Sequence, residues 1–175
     1  MDITAELEHA IRTIPDFPKP GIQFKDITPL LARPALVHDA VDALADPFRD
    51  DGITKVVGIE SRGFILGAML AHRLEAGFVP VRKPGKLPYE TVSAEYELEY
   101  GIDQIEMHVD AMGPHDRVLI HDDVIATGGT AAAAYELVQH TGAEVAGYAF
   151  LLELSFLRGR AKLVEDVVVH SVLIV

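Results

Sequence analysis

Cysteine is absent from this chain of 175 residues. Without thiols the protein has no disulfide framework, no zinc site built on thiolates and no cysteine nucleophile, and its composition suits a reducing compartment. Basic residues are also few, since 15 Lys and Arg stand against 27 Asp and Glu for a formal net charge of −12. Such an acidic balance argues against nucleic acid or an anionic membrane surface as the main partner.

Long hydrophobic runs are missing as well. The most apolar stretches, around residues 64–70 and 145–152, are too short to span a bilayer and have charged residues beside them. Residues 1–6 are acidic and lack the basic start and apolar run of a secretory signal. We therefore expect a cytoplasmic protein with no membrane partner.

The chain does contain an alternation of apolar runs and amphipathic segments. Strands are predicted at residues 55–59, 78–82, 117–121, 144–152 and 167–175. Helices are predicted over residues 3–14, from Pro34 to just before Pro47, and over 63–75 and 129–140, the last two closed by Gly77 and Gly142. This alternation predicts an α/β fold whose mostly parallel, doubly wound sheet binds ligands beyond the carboxyl ends of its strands. No repeat or linker is visible, so we expect a single domain over residues 1–175.

One stretch, residues 84–106, breaks the alternation. It is rich in Gly, Pro, Tyr and Glu, and residues 91–100 predict an exposed, partly extended excursion. A long insertion after a strand often covers an active site, so we expect a flexible lid here. The alternative is a solvated hairpin without a role.

The strongest chemical signal lies in residues 118–130, where an apolar strand leads through Asp122 and Asp123 into a small-residue loop and then a helix. The loop residues are Ala126, Thr127, Gly128, Gly129 and Thr130. Glycines let the backbone approach an anion, threonines add hydroxyl donors, and a helix start favours negative charge. Two adjacent carboxylates suit the hydroxyls of a ribose or the water shell of Mg²⁺. The segment therefore predicts a ribose-phosphate site, different from the two commoner nucleotide loops.

This segment resembles the phosphoribosyl pyrophosphate (PRPP) signature of type I phosphoribosyltransferases, because strand, acid pair, glycine loop and helix occur in that order. Further segments are similar to the adenine phosphoribosyltransferases, namely residues 17–31, 60–64, 82–88, 98–101, 152–154 and 158–160. The resemblance covers nearly the whole chain. It implies the type I phosphoribosyltransferase fold, with helices on both faces of the sheet and a small hood.

The resemblance also implies an activity. It implies transfer of the phosphoribosyl group of PRPP to adenine, giving AMP and pyrophosphate in purine salvage, through a cationic sugar under a closed lid. It further implies a homodimer and Mg²⁺ as cofactor. The metal is expected to be carried mainly by PRPP, with Asp122 and Asp123 reaching it through water rather than as direct ligands.

Roles for the PRPP contacts follow from the same resemblance. It implies that residues 126–130 bind the 5′-phosphate and that Asp122 and Asp123 bind the ribose hydroxyls. It also implies that five residues bind pyrophosphate, in part from the neighbouring subunit: Ser61, Arg62, Arg82, Lys83 and Lys86. From the sequence alone, the last three form the one tight basic cluster of an acidic chain. Such a cluster suits a polyanion, and a solubilising surface patch is the alternative.

The resemblance assigns proton handling to Glu99 and a lid role to Tyr100. A purine must move a proton as it becomes a nucleophile, and a carboxylate under a closed lid can carry it. The residues themselves do not choose among the four glutamates of the excursion, Glu90, Glu95, Glu97 and Glu99.

The adenine-side segment, residues 16–31, is expected to stack the base on Phe24 and to read its edge with the main chain of Gln23 and Lys25. Core packing is the alternative for Phe24. The family often has an aliphatic residue in place of Gln23 and Arg in place of Lys25. Base preference therefore depends on whether these contacts are made by the main chain.

Two other functions stay open at this point. One is phosphoribosyl transfer to another base, and the other is a PRPP-sensing regulator without catalysis, which the acidic charge and the lack of a spare domain disfavour. His121 stands where the signature usually has an apolar residue. Because neighbouring strand residues point to opposite faces, we interpret it as a tolerated histidine rather than a metal ligand.

Overall fold

The computed structural model describes residues 3–98 and 101–175. Its strands are β1 (Arg12–Pro15), β2 (Gln23–Asp26), β3 (Lys55–Ile59), β4 (Gly77–Val81), β5 (Thr91–Leu98), β6 (Gly101–His108), β7 (Arg117–Ile125), β8 (Glu144–Glu153) and β9 (Val168–Ile174). Its α-helices are α1 (Ile3–Ala10), α2 (Thr28–Leu31), α3 (Pro34–Ala45), α4 (Gly63–Arg73) and α5 (Gly129–His140). Short 3-10 turns cover Asp46–Phe48, Ser155–Leu157 and Gly159–Lys162.

Five strands form a parallel sheet in the order β4-β3-β7-β8-β9. Helices α1 to α4 cover one face, where Leu44 and Leu66 are fully buried. Helix α5 and the β5–β6 pair cover the other face, where Leu137 and Met107 are fully buried. The predicted α/β fold with a parallel sheet and helices on both faces is confirmed. None of the helices in the described residues combines the length and hydropathy that a bilayer crossing requires.

The N-terminal helix is shorter than its periodicity predicts. Helix α1 ends at Ala10, and β1 follows it, paired antiparallel with β2 so that Ile14 lies opposite Phe24. Arg12 also donates a hydrogen bond of 2.6 Å to Asp26 across this pair. The prediction of a helix through residue 14 was wrong because strand pairing with a distant segment outweighs the local helical spacing.

The end of α4 also differs from the prediction. The helix stops at Arg73, and Glu75, not Gly77, takes the left-handed conformation, with φ of 56°. The Ala76 N–H then donates to the Ala71 carbonyl at 2.9 Å, which closes the helix. Gly77 instead begins β4, where a Cβ atom would lie 3.2 Å from Cδ of Lys55.

The excursion at residues 84–106 contains most of an antiparallel hairpin. Strands β5 and β6 pair from Thr91 opposite His108 to Leu98 opposite Gly101. Ala94 and Ile105 are buried in the same cluster as the inner side of α5. The predicted extended conformation is confirmed, but the excursion is not exposed throughout, because its inner side packs against α5. Its role as a flexible lid stays a prediction.

Candidate active site

Strand β7 carries the acid pair further into the sheet than the sequence predicts. The strand continues to Ile125, so that Asp122 and Asp123 are both inside it, and Asp122 lies opposite Phe150 of β8. Because side chains alternate along a strand, the two carboxyl groups leave β7 on opposite sides. Both residues nevertheless line one cavity, described below.

The loop between β7 and α5 lines a cavity of about 90 Å³. The residues around it are Asp122, Val124, Ile125, Ala126, Thr127, Gly128, Thr130, Ala131 and Phe150. Gly128 has φ of 80°, a left-handed conformation that glycine adopts readily, and α5 begins at the next residue. The first backbone N–H groups of a helix have no partners within it, so they favour an anion in this cavity.

A second cavity of about 230 Å³ adjoins the first. It is lined by Ile22, Gln23, Phe24, Lys25, Arg62, Asp122, Asp123, Val124, Ala126 and Leu154. Strand β2 thus brings the three predicted adenine residues to the acid pair. The guanidinium of Arg62 lies over the Phe24 ring, 5.0 Å from its centre, so these two side chains contribute to the same part of the lining. Asp122, Val124 and Ala126 line both cavities and join them.

Burial and mutual charge set the state of the acid pair. Asp123 is 2% exposed, and its Oδ2 lies 3.0 Å from Nε of Arg62. Burial raises the pKa of Asp123, against the opposing effect of Arg62. Burial also raises the pKa of Asp122, and the neighbouring charge of Asp123 raises it further. Helix α4 can approach Asp122 closely because Gly63 has no side chain. A Cβ there would lie 2.9 Å from Oδ1 of Asp122.

The predicted pyrophosphate loop follows β3. The Glu60–Ser61 peptide is cis, and Ser61 is exposed before α4. Glu60 accepts hydrogen bonds from Nζ of Lys86 at 2.7 Å, the N–H of Lys83 at 2.8 Å and Nη2 of Arg82 at 3.3 Å. Burial acts to raise the pKa of Glu60, but these donors outweigh it and lower that pKa to about 2.

Lys83 has partners of its own in the hairpin. Its Nζ donates to Oη of Tyr96 at 2.6 Å and to the carboxylate of Asp103, and Tyr96 donates to the same carboxylate at 3.0 Å. Within the described chain, Arg82, Lys83 and Lys86 line neither cavity. Their contact with pyrophosphate therefore stays a prediction.

His121 is fully buried beneath the acid pair. Its Nδ1 lies 2.8 Å from the carbonyl oxygen of Ala149, which can only accept, so Nδ1 carries the proton. Nε2 has no hydrogen-bond partner among the described residues. Burial lowers the pKa of His121 to about 4, which keeps the ring neutral. The ring packs beside Gly67 of α4, where a Cβ would lie 3.1 Å from Cδ2.

Two predicted site residues cannot be placed in the structure, and two residues near the site had no predicted role. Glu99 and Tyr100 lie outside the described residues. Glu60 and Leu154 lie in segments that carry the resemblance, but neither was assigned a role from the sequence. Their positions along the chain could have indicated a role. Each residue directly follows the carboxyl end of a parallel strand, where ligand sites form.

The described residues contain no group of three or more His, Asp or Glu side chains arranged to hold a metal ion. Of the acid pair, Asp122 lines both cavities and Asp123 lines the larger one. This donor set fits a cation held mainly by the phosphates of a ligand, with carboxylates nearby, rather than one held by the protein.

Comparison with known proteins places this geometry in a class. A family model described as the phosphoribosyl transferase domain matches residues 26–173. The parallel sheet, the acid pair and the glycine loop thus define a phosphoribosyltransferase.

Individual relatives narrow the class. An adenine phosphoribosyltransferase of Synechococcus sp. (strain JA-3-3Ab) is 58% identical over 170 residues, covering 97% of each chain. The crystal structure of adenine phosphoribosyltransferase from Rhodothermus marinus has 64% identity and a TM-score of 0.96, covering 99% of this chain and 98% of that one. The Saccharomyces cerevisiae enzyme, solved with adenine and an imino-altritol bisphosphate, has 45% identity and a TM-score of 0.91, covering 97% and 98%. The chain belongs to the adenine phosphoribosyltransferase family.

Proposed function

We propose that this chain transfers the phosphoribosyl group of PRPP to adenine, giving AMP and pyrophosphate. The observation that carries the proposal is the pair of adjoining cavities with Asp122 in their common wall. One cavity has the donors for a phosphate, and the other has an aromatic wall for a planar base. A nucleoside monophosphate has these two groups at its ends with a ribose between them.

In this proposal each part of the ligand has its own residues. Residues 126–130 hold the 5′-phosphate, and Asp122 and Asp123 hold the ribose hydroxyls. The same two carboxylates stabilise positive charge that develops on the sugar ring. Adenine stacks on Phe24, and the main chain of Gln23 and Lys25 reads its edge.

Proton handling by Glu99 and closure of residues 84–106 as a lid belong to the same proposal, with Tyr100 in that lid. A closed lid excludes water, which protects a cationic sugar from hydrolysis. A single domain over residues 1–175 and a cytoplasmic location are proposed with it.

Mg²⁺ is proposed as the cofactor, bound mainly to the phosphates of PRPP, with Asp122 and Asp123 reaching it through water. When bound there, it supplies positive charge that stabilises the departing pyrophosphate. The protein's own contribution is to place the acid pair beside the ribose.

Pyrophosphate is proposed to contact Ser61 and Arg62 of the same subunit and the cations of residues 82–86 from the other subunit of a homodimer. The position of these cations away from both cavities supports this division. Mixing an Arg82→Met, Lys83→Met variant with an Asp122→Asn, Asp123→Asn variant tests it. We expect activity to reappear in the mixture after subunit exchange. No recovery from two inactive but dimeric variants would refute shared sites.

The activity is tested by offering PRPP and Mg²⁺ with adenine, hypoxanthine, guanine, xanthine, uracil or orotate in parallel and separating the products by chromatography. We expect AMP alone. Product from another base would overturn the assignment of Phe24 and its neighbours to adenine. PRPP binding without any product would favour a regulator.

A further inference from the structure

The loop assigned to the 5′-phosphate rests directly on a second stretch of backbone, the turn at Gly159. A Cβ on Gly128 would lie 2.2 Å from the carbonyl oxygen of Gly159. Conversely, a Cβ on Gly159 would lie 2.4 Å from the carbonyl oxygen of Ala126 and 2.9 Å from Cγ1 of Ile125. Carbon and oxygen atoms do not approach this closely without displacing one another. The shape of the loop therefore depends on where Gly159 lies.

A partly buried cluster of polar groups holds that turn in place. Nε of Arg160 donates to both carboxylate oxygens of Glu153 at 2.8 Å, and Nη1 donates to the carbonyl of Val169 at 3.0 Å. Nη2 donates to Oγ of Ser171 at 3.2 Å, and that hydroxyl donates to Glu153 at 2.7 Å. Glu153 is only 8% exposed. One guanidinium thus ties the residue after Gly159 to the last residue of β8 and to two residues of β9.

We propose that Arg160 is a positioning residue, which acts through Glu153 and Gly159 to fix the 5′-phosphate loop and so sets the affinity for the phosphate. The proposal rests on the proposed function, since it assumes that residues 126–130 bind that group. Among the described residues, the hydrogen-bond partners of Arg160 line neither cavity, so its effect passes through the backbone of Gly159.

The adenine side is held by a different contact. Leu154, which lines the larger cavity, donates its N–H to the carbonyl of Ile125 at 3.0 Å. This main-chain hydrogen bond does not involve the Arg160 side chain. Loss of Arg160 should therefore weaken phosphate binding more than adenine binding, which a general loss of folding would not do.

The first test replaces Arg160 by Met and measures the Kd of ribose 5-phosphate by calorimetry, together with kcat and the KM values of PRPP and adenine. We expect the Kd of ribose 5-phosphate and the KM of PRPP to rise about tenfold or more, since misalignment of a few donors has this effect. We expect kcat and the KM of adenine to change less than about twofold. Arg160→Lys keeps the charge but loses the planar fork, so it should recover part of the affinity.

Arg49 provides a matched control. Its side chain is 35% exposed, against 40% for Arg160, and it also pairs with two acids away from the loop, the partly buried Asp42 and the exposed Asp46. Arg49→Met should leave all four constants unchanged. A similar loss in both variants would overturn the proposal.

A second variant tests the same contact without disturbing the buried ion pair. Gly159→Ala adds one methyl group where Ala126 stands in the way, whereas Gly113→Ala adds it where nothing lies within 4 Å. Neither glycine has a left-handed φ, so the two changes differ mainly in this contact. We expect Gly159→Ala to raise the Kd of ribose 5-phosphate about tenfold and Gly113→Ala to leave it unchanged.

The outcomes separate the two proposals. Folded Arg160→Met and Gly159→Ala variants with wild-type affinity for ribose 5-phosphate would overturn the role of Arg160 alone. Equal losses in kcat and in the KM of adenine would also overturn it, since they indicate a general structural effect. If Thr127→Asp and Thr130→Asp, which place a negative charge in the loop, both leave the Kd of ribose 5-phosphate unchanged, the loop is not the phosphate site, and the proposed function falls together with this inference.

Discussion

Two anion-binding regions of this protein are built in opposite ways. The loop at residues 126–130 presents main-chain N–H groups and hydroxyls around a cavity that is already formed. The basic segment at residues 82–86 presents long side chains whose charges are already paired with Glu60 and Asp103. The first region can bind without rearrangement, whereas the second must exchange a carboxylate for its ligand. The affinity of the loop for an anion therefore depends on its fixed geometry. The affinity of the basic segment depends on how well a ligand anion competes with Glu60 and Asp103.

The largest effect is expected at the acid pair beside the loop. Replacing Asp122 and Asp123 together by Asn removes both charges and keeps the shape, so kcat/KM for PRPP should fall by at least about 10³-fold. Steady-state kinetics measures this, with circular dichroism to follow the fold and the exposed Asp50→Asn as control. Unchanged kinetics would refute the ribose assignment.

The second-largest effect is expected on the pH dependence of stability, through His121 of β7. Above pH 6.5 His121 is neutral in both the folded and the unfolded chain. Below that value the unfolded chain takes up a proton first, because burial holds the folded pKa at about 4. The free energy of unfolding should therefore fall by roughly 3 kcal/mol between pH 6.5 and pH 4.

His121→Gln removes the titrating ring and should flatten this part of the stability curve. Urea unfolding at a series of pH values measures the slope. The exposed His9→Gln serves as control and should behave as the wild type does. An equal slope in the His121→Gln variant would show that another group causes the acid sensitivity.

On the basic side, Glu60→Gln should lower stability at neutral pH. The folded pKa of Glu60 is about 2, below its ordinary value of 4.5, so its charge stabilises the fold above pH 4.5. That contribution is lost as the pH falls from 4.5 towards 2. In the Glu60→Gln variant, stability should therefore fall less steeply between pH 4.5 and pH 2, and thermal unfolding measures this. A variant with wild-type stability at pH 7 would contradict the central place of Glu60 in this region.

The smallest effect tests the exchange of anions directly. Asp103→Asn removes the carboxylate that competes for Lys83, so the Kd of pyrophosphate should fall about two- to fivefold, as for other partly exposed ion pairs. Calorimetry with pyrophosphate and Mg²⁺ measures it, and the exposed Asp110→Asn is the control. Weaker binding in the Asp103 variant would mean that Asp103 holds Lys83 in its binding position.

The same contrast explains what could be predicted from the sequence. Gly128, Gly129 and the start of α5 are specified by neighbours in the chain, and the helix begins at the predicted residue. Contacts between distant segments carry no such local signal. The residues near Ile14 do not predict its pairing with Phe24. Those near Glu60 do not predict that it accepts hydrogen bonds from residues 82–86. The resemblance brought Phe24 to the site, where its own sequence context indicated a core residue.

The common wall of the two cavities has a consequence for ligand length. Asp122 and Val124 are alternate residues of β7, and Ala126 lies one residue beyond its end, so one short run of main chain forms the common wall. The relative positions of a bound ring and a bound phosphate therefore depend on the course of this main chain from β7 into the loop. Ligands whose ring and phosphate are spaced differently can fill one cavity or the other, but not both at once.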